Sequence, residues 1–407
     1  MLAVKALFVG GLVGLLVAGV LACAAFAAPS AESKVGCESL AHRLPHLEAR
    51  LPVAIAVATP CGHFLVERSG AVVRSRPAPR PVPAGAGWYP DLTWYRFVRG
   101  HLLIGVRHRF LWRSARPLAT RYNLGAIERG HGEVAFSLFY GSASKLFVAR
   151  FGGAERLVGR GETPIGWTSS GDLVAVRYQQ LPSGHRPESL VLLAPSGRLL
   201  HNIAVDVWDW AWAQNRSVLY LLAHGRVERF DGSSLVALAS LDSLRVGAAA
   251  RLAPLGRLLA VSDTKRIAVL DARAGSIVAT ARFPRQKTKQ SYGAIAANAD
   301  GTAVAFTWDN LAAASSDPSV KGVFDTVYLL RAHTQSASAL QRVAITYPTC
   351  GDMSSLVWRG SSLVYTETGG HVLIFRPLTK SPPIRLTPLI TRLSGDHVAE
   401  PIDFTVK

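Results

Sequence analysis

The sequence predicts an all-β fold of iterated four-stranded units, and three observations carry the prediction. First, the shape of "PIGWTSSGDLVAV" (residues 164–176) returns at 211–222, 251–261, 296–306 and 357–366, with weaker copies at 96–106 and 128–139. Each copy is an apolar lead-in, a turn of small or polar residues and a short β-rich strand. The turn residues Gly171, Arg216, Gly256 and Gly301 are 45, 40 and 45 positions apart. Second, a further hairpin follows each copy, as in "SLVLLAPSGRLLHNI" (189–203) and "KRIAVLDARAGSIVATARF" (265–283). Third, the strands are almost continuously apolar and no helical period of similar strength competes, which marks sheets covered on both faces. Four strands per unit of about 40–45 residues, iterated, is the pattern of a β-propeller.

Turns at Gly100, Gly132, Gly171, Arg216, Gly256, Gly301 and Gly360 lead to a count of seven blades. A hairpin at 53–74 and a strand at 401–406 offer an eighth, made by pairing the two ends of the chain. The copy at Trp167 resembles the P-x-x-W-S-P-D-G-x-x-[IL]-A-[FV] repeat of TolB-like and WD40-like (PD40-type) exported bacterial propellers, and the resemblance runs over roughly residues 88–387. Trp208-Asp209 and Trp308-Asp309 do not fall where a WD40 unit closes, which favours the exported bacterial kind. The resemblance implies an exported β-propeller.

Residues 1–28 stand apart as a leader. Lys5 precedes an uncharged apolar run from Ala6 to Ala28, and "AFA" at 25–27 is a cleavage-site pattern ending at Ala27. The run is also long enough to stay as a membrane anchor, and Cys23 offers a lipidation site. All three readings imply export. An N-terminal segment (29–52) then leads into the propeller (53–407). Of the remaining cysteines, Cys37–Cys61 is one pairing and Cys61–Cys350 the alternative. The absence of any Cys/His zinc spacing argues against a structural metal, and no cofactor is expected.

The net charge of +18 is compatible with anionic partners, although Arg-rich, Ala-rich composition also accompanies GC-rich coding. Residues 74–121 hold ten Arg and only one acid, Asp91. No nucleic-acid motif accompanies the charge, so an envelope protein, an anionic polymer or a membrane surface is the expected partner. In a four-stranded antiparallel unit, the turn between the second and third strands and the link to the next unit emerge at the same end. That end collects "QQLPSGHRPE" (179–188), 309–324, 284–293 and 347–353, read as loops. His185, Arg186, Lys287, Lys289, Asp309, Lys321 and Asp352 are therefore the candidate partner-binding residues.

Catalytic patterns are weak. Ser142–Lys145 and Ser262–Lys265 fit S-x-x-K, but both fall between strands instead of opening a helix. His42 and His46 are separated by Pro45, and His131 with Glu133 is a lone pair. Asp206 and Asp209 in "VDVWDWAW" (205–212) lack a calcium-loop pattern and read as ion-pair partners. Trp167, Trp212 and Trp358 occupy equivalent positions and read as core. The expected function is a non-catalytic binding scaffold. The alternatives are a propeller hydrolase or lyase with polar channel residues, and a carbohydrate-binding propeller using exposed Trp.

Overall fold

The computed structural model describes Cys37, Leu40 and residues 44–59, 61–75, 87–88, 93–106, 109–118, 123–140, 143–181, 184–213, 215–247, 250–283, 292–310, 323–332, 340–349, 354–367, 372–377, 382–395 and 403–406. These residues form eight four-stranded sheets, seven of them meanders of consecutive strands, an arrangement consistent with a β-propeller. We number the seven in chain order: I (87–113), II (123–160), III (162–205), IV (207–240), V (251–282), VI (292–349) and VII (354–385). Besides the helical residues Cys37 and Leu40, the helices described are Leu241–Leu244 and Thr387–Leu393.

The eighth, terminal sheet joins the two chain ends. Ile55–Thr59, Gly62–Val66 and Val72–Arg74 are completed by Asp403–Val406, which pairs with the first of them in the register Ile55↔Val406 to Ala58↔Asp403. The sheet count is thus one above the seven given by counting turns. A turn count registers only local hairpins, and this pairing is non-local.

Two compact units are distinguishable. One covers Pro79–Ala237; the other covers Pro29–Ala78 with Leu238–Lys407. In the first, a separate apolar layer lies between each successive pair of sheets. Leu102, Ile104, Trp112 and Phe136 fill the layer between I and II. Leu146, Val148, Trp167 and Ala175 fill that between II and III, and Val174, Leu190, Leu219 and Leu221 that between III and IV. In the second unit, Val269 and Phe306 lie between V and VI, and Leu329, Trp358 and Tyr365 between VI and VII. Ile374 of VII meets Ile55, Val57 and Phe64 of the terminal sheet, together with Ile390 of the helix Thr387–Leu393.

Strand alternation explains the unbroken apolar runs. In the second strand of III, Leu173–Leu181, Leu173 and Ala175 point toward II while Val174 and Val176 point toward IV. All four are fully buried. Each fully buried Leu or Val side chain contributes about 1.5–3 kcal/mol, so both faces must be apolar for the stack to hold.

The recurring Trp sets the spacing between first strands. Trp167, on the first strand of III (Glu162–Trp167), lies across Gly130, which ends the first strand of II (Asn123–Gly130). Trp212, on the first strand of IV (Val207–Trp212), lies across Gly166 and donates its Nε1–H to the Ile165 carbonyl. In the second unit Trp358 donates to the Ala296 carbonyl of the preceding first strand at 3.2 Å. A Cβ at Gly130 would come within 2.7 Å of the Trp167 ring, and one at Gly166 within 2.5 Å of Trp212.

Cys37 and Cys61 form a disulfide that ties the N-terminal segment to the terminal sheet. Thr59 Oγ1 donates to the Leu393 carbonyl at 2.7 Å, which fastens the same sheet to the C-terminal helix. Cys350 lies outside the described residues.

Gly130→Ala and Gly166→Ala should each lower stability by about 1–3 kcal/mol, the usual cost of overpacking. Urea unfolding should show a lower midpoint with an unchanged slope. An unchanged midpoint would mean that the indoles do not rest on these backbones.

Candidate functional site

The candidate site is the end of sheets III and IV where the second-to-third-strand turns and the III-to-IV link emerge. At that end the two middle strands of III run on as a ribbon. Leu173–Leu181 pairs with Gly184–Leu193 as far as Leu181↔Gly184, with Gln180↔His185 and Gln179↔Arg186 on the way. His185 and Arg186 therefore lie on a strand. The expectation of a ten-residue loop at 179–188 is corrected here. Pro187 stands opposite Tyr178 where the register shifts after Arg177, a position at which a strand tolerates Pro.

The link from III to IV turns at Asp206, a non-glycine residue with φ +49°. The first strand of IV then carries a β-bulge between Val207 and Asp209, which leaves Trp208 without a cross-strand partner. Val207 pairs with Ala223, Trp210 with Leu221 and Trp212 with Leu219. Because of the extra residue, Val207, Trp210 and Trp212 all face sheet III. Trp208 is turned to solvent and is 59% exposed, the highest value among the large exposed hydrophobics, with Val205 beside it at 46%. Strict alternation would have grouped Trp208 with Trp210 and Trp212, so the sequence pattern alone could not single it out.

The turn at His224–Gly225 follows at the same end, with φ of +50° and +70°. His224 and Arg226 are exposed there, while Glu228 on the third strand of IV (Arg226–Phe230) is 8% exposed. Its Oε2 has no hydrogen-bond partner among the described residues. Burial raises the Glu228 carboxyl above its ordinary range, against the weaker lowering pull of His224 and Arg226. Burial likewise raises the Tyr178 phenol, which packs against the III–IV layer. The end thus offers an exposed indole for stacking beside charges of both signs.

The other expected residues are placed as follows. Asp309 is on the strand Ala303–Asn310, in register with Asp325, instead of in the loop assigned to it. Lys287, Lys289, Lys321 and Asp352 lie outside the described residues, as do Ser142 and His42. Along the chain, Lys287 and Lys289 fall between sheets V and VI, Lys321 between the second and third strands of VI, and Asp352 between VI and VII. Ser262 ends a strand and Lys265 sits in the following turn. His131 and Glu133 are engaged separately: His131 Nε2 donates to the Thr168 carbonyl at 2.8 Å, and Glu133 pairs with Arg150 at 3.4 Å. Among the described residues no three His, Cys, Asp or Glu side chains are grouped to hold a metal ion.

No protein-family model matches the sequence, and no curated protein matches it. Solved structures similar to the chain are β-propeller proteins. Apo AztD from Citrobacter koseri is 10% identical, with 87% of this chain and 97% of that one aligned and a TM-score of 0.48. BamB from Moraxella catarrhalis is 12% identical over 83% and 97%, with a TM-score of 0.40. Kluyveromyces lactis Hsv2 is 12% identical over 72% and 92%, at 0.41. Likeness at this level carries no argument about function, and the architecture rests on the strand order and register above.

Glu228 yields a pH test. Its folded-state pKa is raised, so the folded protein holds the proton to a higher pH than the unfolded chain does. Stability therefore falls as pH rises through the window between the two values. Glu228→Gln should raise Tm relative to the unmodified chain at pH 7.5, and the gain should vanish by about pH 4. A gain of equal size at both pH values would remove burial of the charge as its cause.

Proposed function

We propose that the protein is an exported, TolB-like β-propeller that acts as a non-catalytic binding scaffold at the cell envelope, with the terminal sheet as an eighth blade. The observation that carries the binding reading is Trp208, exposed at a sheet end where a strand ribbon, a link and a turn converge. Rigid sheets that present such ends are where binding residues concentrate. Export is supported by the uncharged run Ala6–Ala28 and by the Cys37–Cys61 disulfide, a bond that persists in oxidising compartments. The net charge of +18 favours an anionic partner, either a protein or an envelope polymer.

Trp208 favours one second reading, recognition of carbohydrate. An exposed indole stacks on the apolar face of a sugar ring, and Asp206 and Asp209 on either side supply hydroxyl acceptors.

Two sets of variants separate these readings. Lys287→Glu with Lys289→Glu should weaken retention on anionic cell-wall polymer, with strong salt dependence, because exposed charges are screened beyond about 8–10 Å at physiological ionic strength. Arg107→Glu with Arg109→Glu is the control for diffuse charge; equal losses in both pairs would remove the loop face from the argument. Trp208→Ala should abolish retention on neutral polysaccharide if sugar stacking is the mode, and leave Tm nearly unchanged. Mass spectrometry of the mature N-terminus tests export: a start after Ala27 means cleavage, a lipidated Cys23 a lipoprotein, and Met1 in a membrane fraction an anchor. Met1 in a soluble cytoplasmic fraction would overturn the envelope reading.

A further inference from the structure

The second unit carries a cleft away from the candidate site described above. It encloses about 160 Å3 and is lined by Arg50, Pro52, Ile374, Phe375, Arg376, Pro382 and Ile384. One wall is the N-terminal segment. It is held in place by Leu51 N–H donating to the Arg68 carbonyl at 2.8 Å, and by the Arg68 guanidinium donating to the Pro52 carbonyl at 2.9 and 2.7 Å. The other wall is the last hairpin of sheet VII, in the register Ile374↔Ile384 and Leu373↔Arg385. Both walls are therefore tied by backbone hydrogen bonds, and prolines stiffen both rims.

The lining has one sign of charge. Among the described residues its two ionisable groups are both arginines, and the rest of the lining is Pro52, Pro382, Ile384 and the edges of the buried Ile374 and Phe375. An apolar floor limits the water around a guanidinium from below, which strengthens its attraction for an anion at the mouth. Arginine forks match the oxygens of phosphate in paired hydrogen bonds, which a single lysine cannot do. Size narrows the ligand further. Pockets for drug-sized molecules and cofactors run from about 300 to 1,000 Å3, so this cleft suits a small head and not a nucleotide.

We propose that this cleft binds a phosphate-bearing headgroup, with Arg50 and Arg376 on the phosphate and Pro52, Pro382 and Ile384 against its apolar portion. The inference requires neither export nor the end of sheets III and IV. Two sources share the chemistry, a soluble phosphate ester and an anionic phospholipid.

The test uses the full chain in nonionic detergent, titrated calorimetrically with sodium glycerol 1-phosphate. In parallel, the chain is floated with vesicles of phosphatidylcholine, with and without phosphatidylglycerol. Arg50→Gln and Arg376→Gln should each weaken binding at least tenfold with Tm unchanged, while Arg385→Gln on the same hairpin should bind as the unmodified chain does. Calorimetric binding that the two variants lose supports a soluble ester. Phosphatidylglycerol-dependent flotation that they lose, without calorimetric binding, supports a lipid head. No binding in either arm, or equal binding by all four chains, overturns the proposal.

Discussion

The structure depends on an indole laid across the backbone of the preceding first strand. A first strand is the edge of its sheet, and its outward carbonyls have no ladder partner. A Trp on the next first strand addresses both needs of that edge. Its ring covers a large apolar area, and its N–H supplies a donor to a carbonyl that would otherwise be buried unmade. Trp212 over Ile165–Gly166 does this in one unit, and Trp358 with the Ala296 carbonyl does it in the other. The geometry forces glycine where the ring lies closest, at Gly130 and Gly166. Trp167 is the partial exception. It covers Gly130, but its Nε1 has no acceptor among the described residues, an omission that costs on the order of 1–3 kcal/mol.

The same economy governs the carboxylates. Asp231 accepts from the amides of Ser233 and Ser234, and Asp271 from those of Arg273 and Ala274. Asp300 accepts from the Thr302 amide. These bonds, more than any nearby charge, hold all three carboxyls below their ordinary values. Their stabilisation is present above the unfolded value and is lost as pH falls through the folded ones, opposite in sign to Glu228. Glu128 and Glu162 are engaged by Arg216 and Arg177. Acids are thus drawn into turns and strand pairs, in a chain that has 45 Lys and Arg against 27 Asp and Glu.

Legibility followed the range of each interaction. The turns at Gly171, Gly256 and Gly301 were readable because a tight turn is specified within five residues, and Trp167 and Trp212 because each stands four residues before its turn residue, Gly171 or Arg216. The terminal sheet was readable only as one of two options, since no local signal links Ile55 to Val406. The ribbon at Gln179–Arg186 was misread as a loop because Pro182, Gly184 and Pro187 look like breakers. A register shift beside Tyr178 lets the strand carry Pro187. Trp208 was hidden by the same kind of event, because one inserted residue reverses the parity of everything before it.

That hidden residue also separates function from architecture. The bulge in IV is needed so that Val207 and Trp210 can both face sheet III. The price of that arrangement is one residue without a place in the layer, and packing makes no demand on its identity. Register shifts in the first strands of II and VI span Gly125-Ala126 and Gly293-Ala294, where small residues suffice. In III the bulged Ile165 turns inward and is 8% exposed. Among the described first strands, only that of IV combines a bulge with a large exposed aromatic, Trp208 at 59%. A single exposed apolar residue is ordinary. The indole of Trp208 stands at a position where the fold asks for nothing, so the packing of the layer does not set its identity.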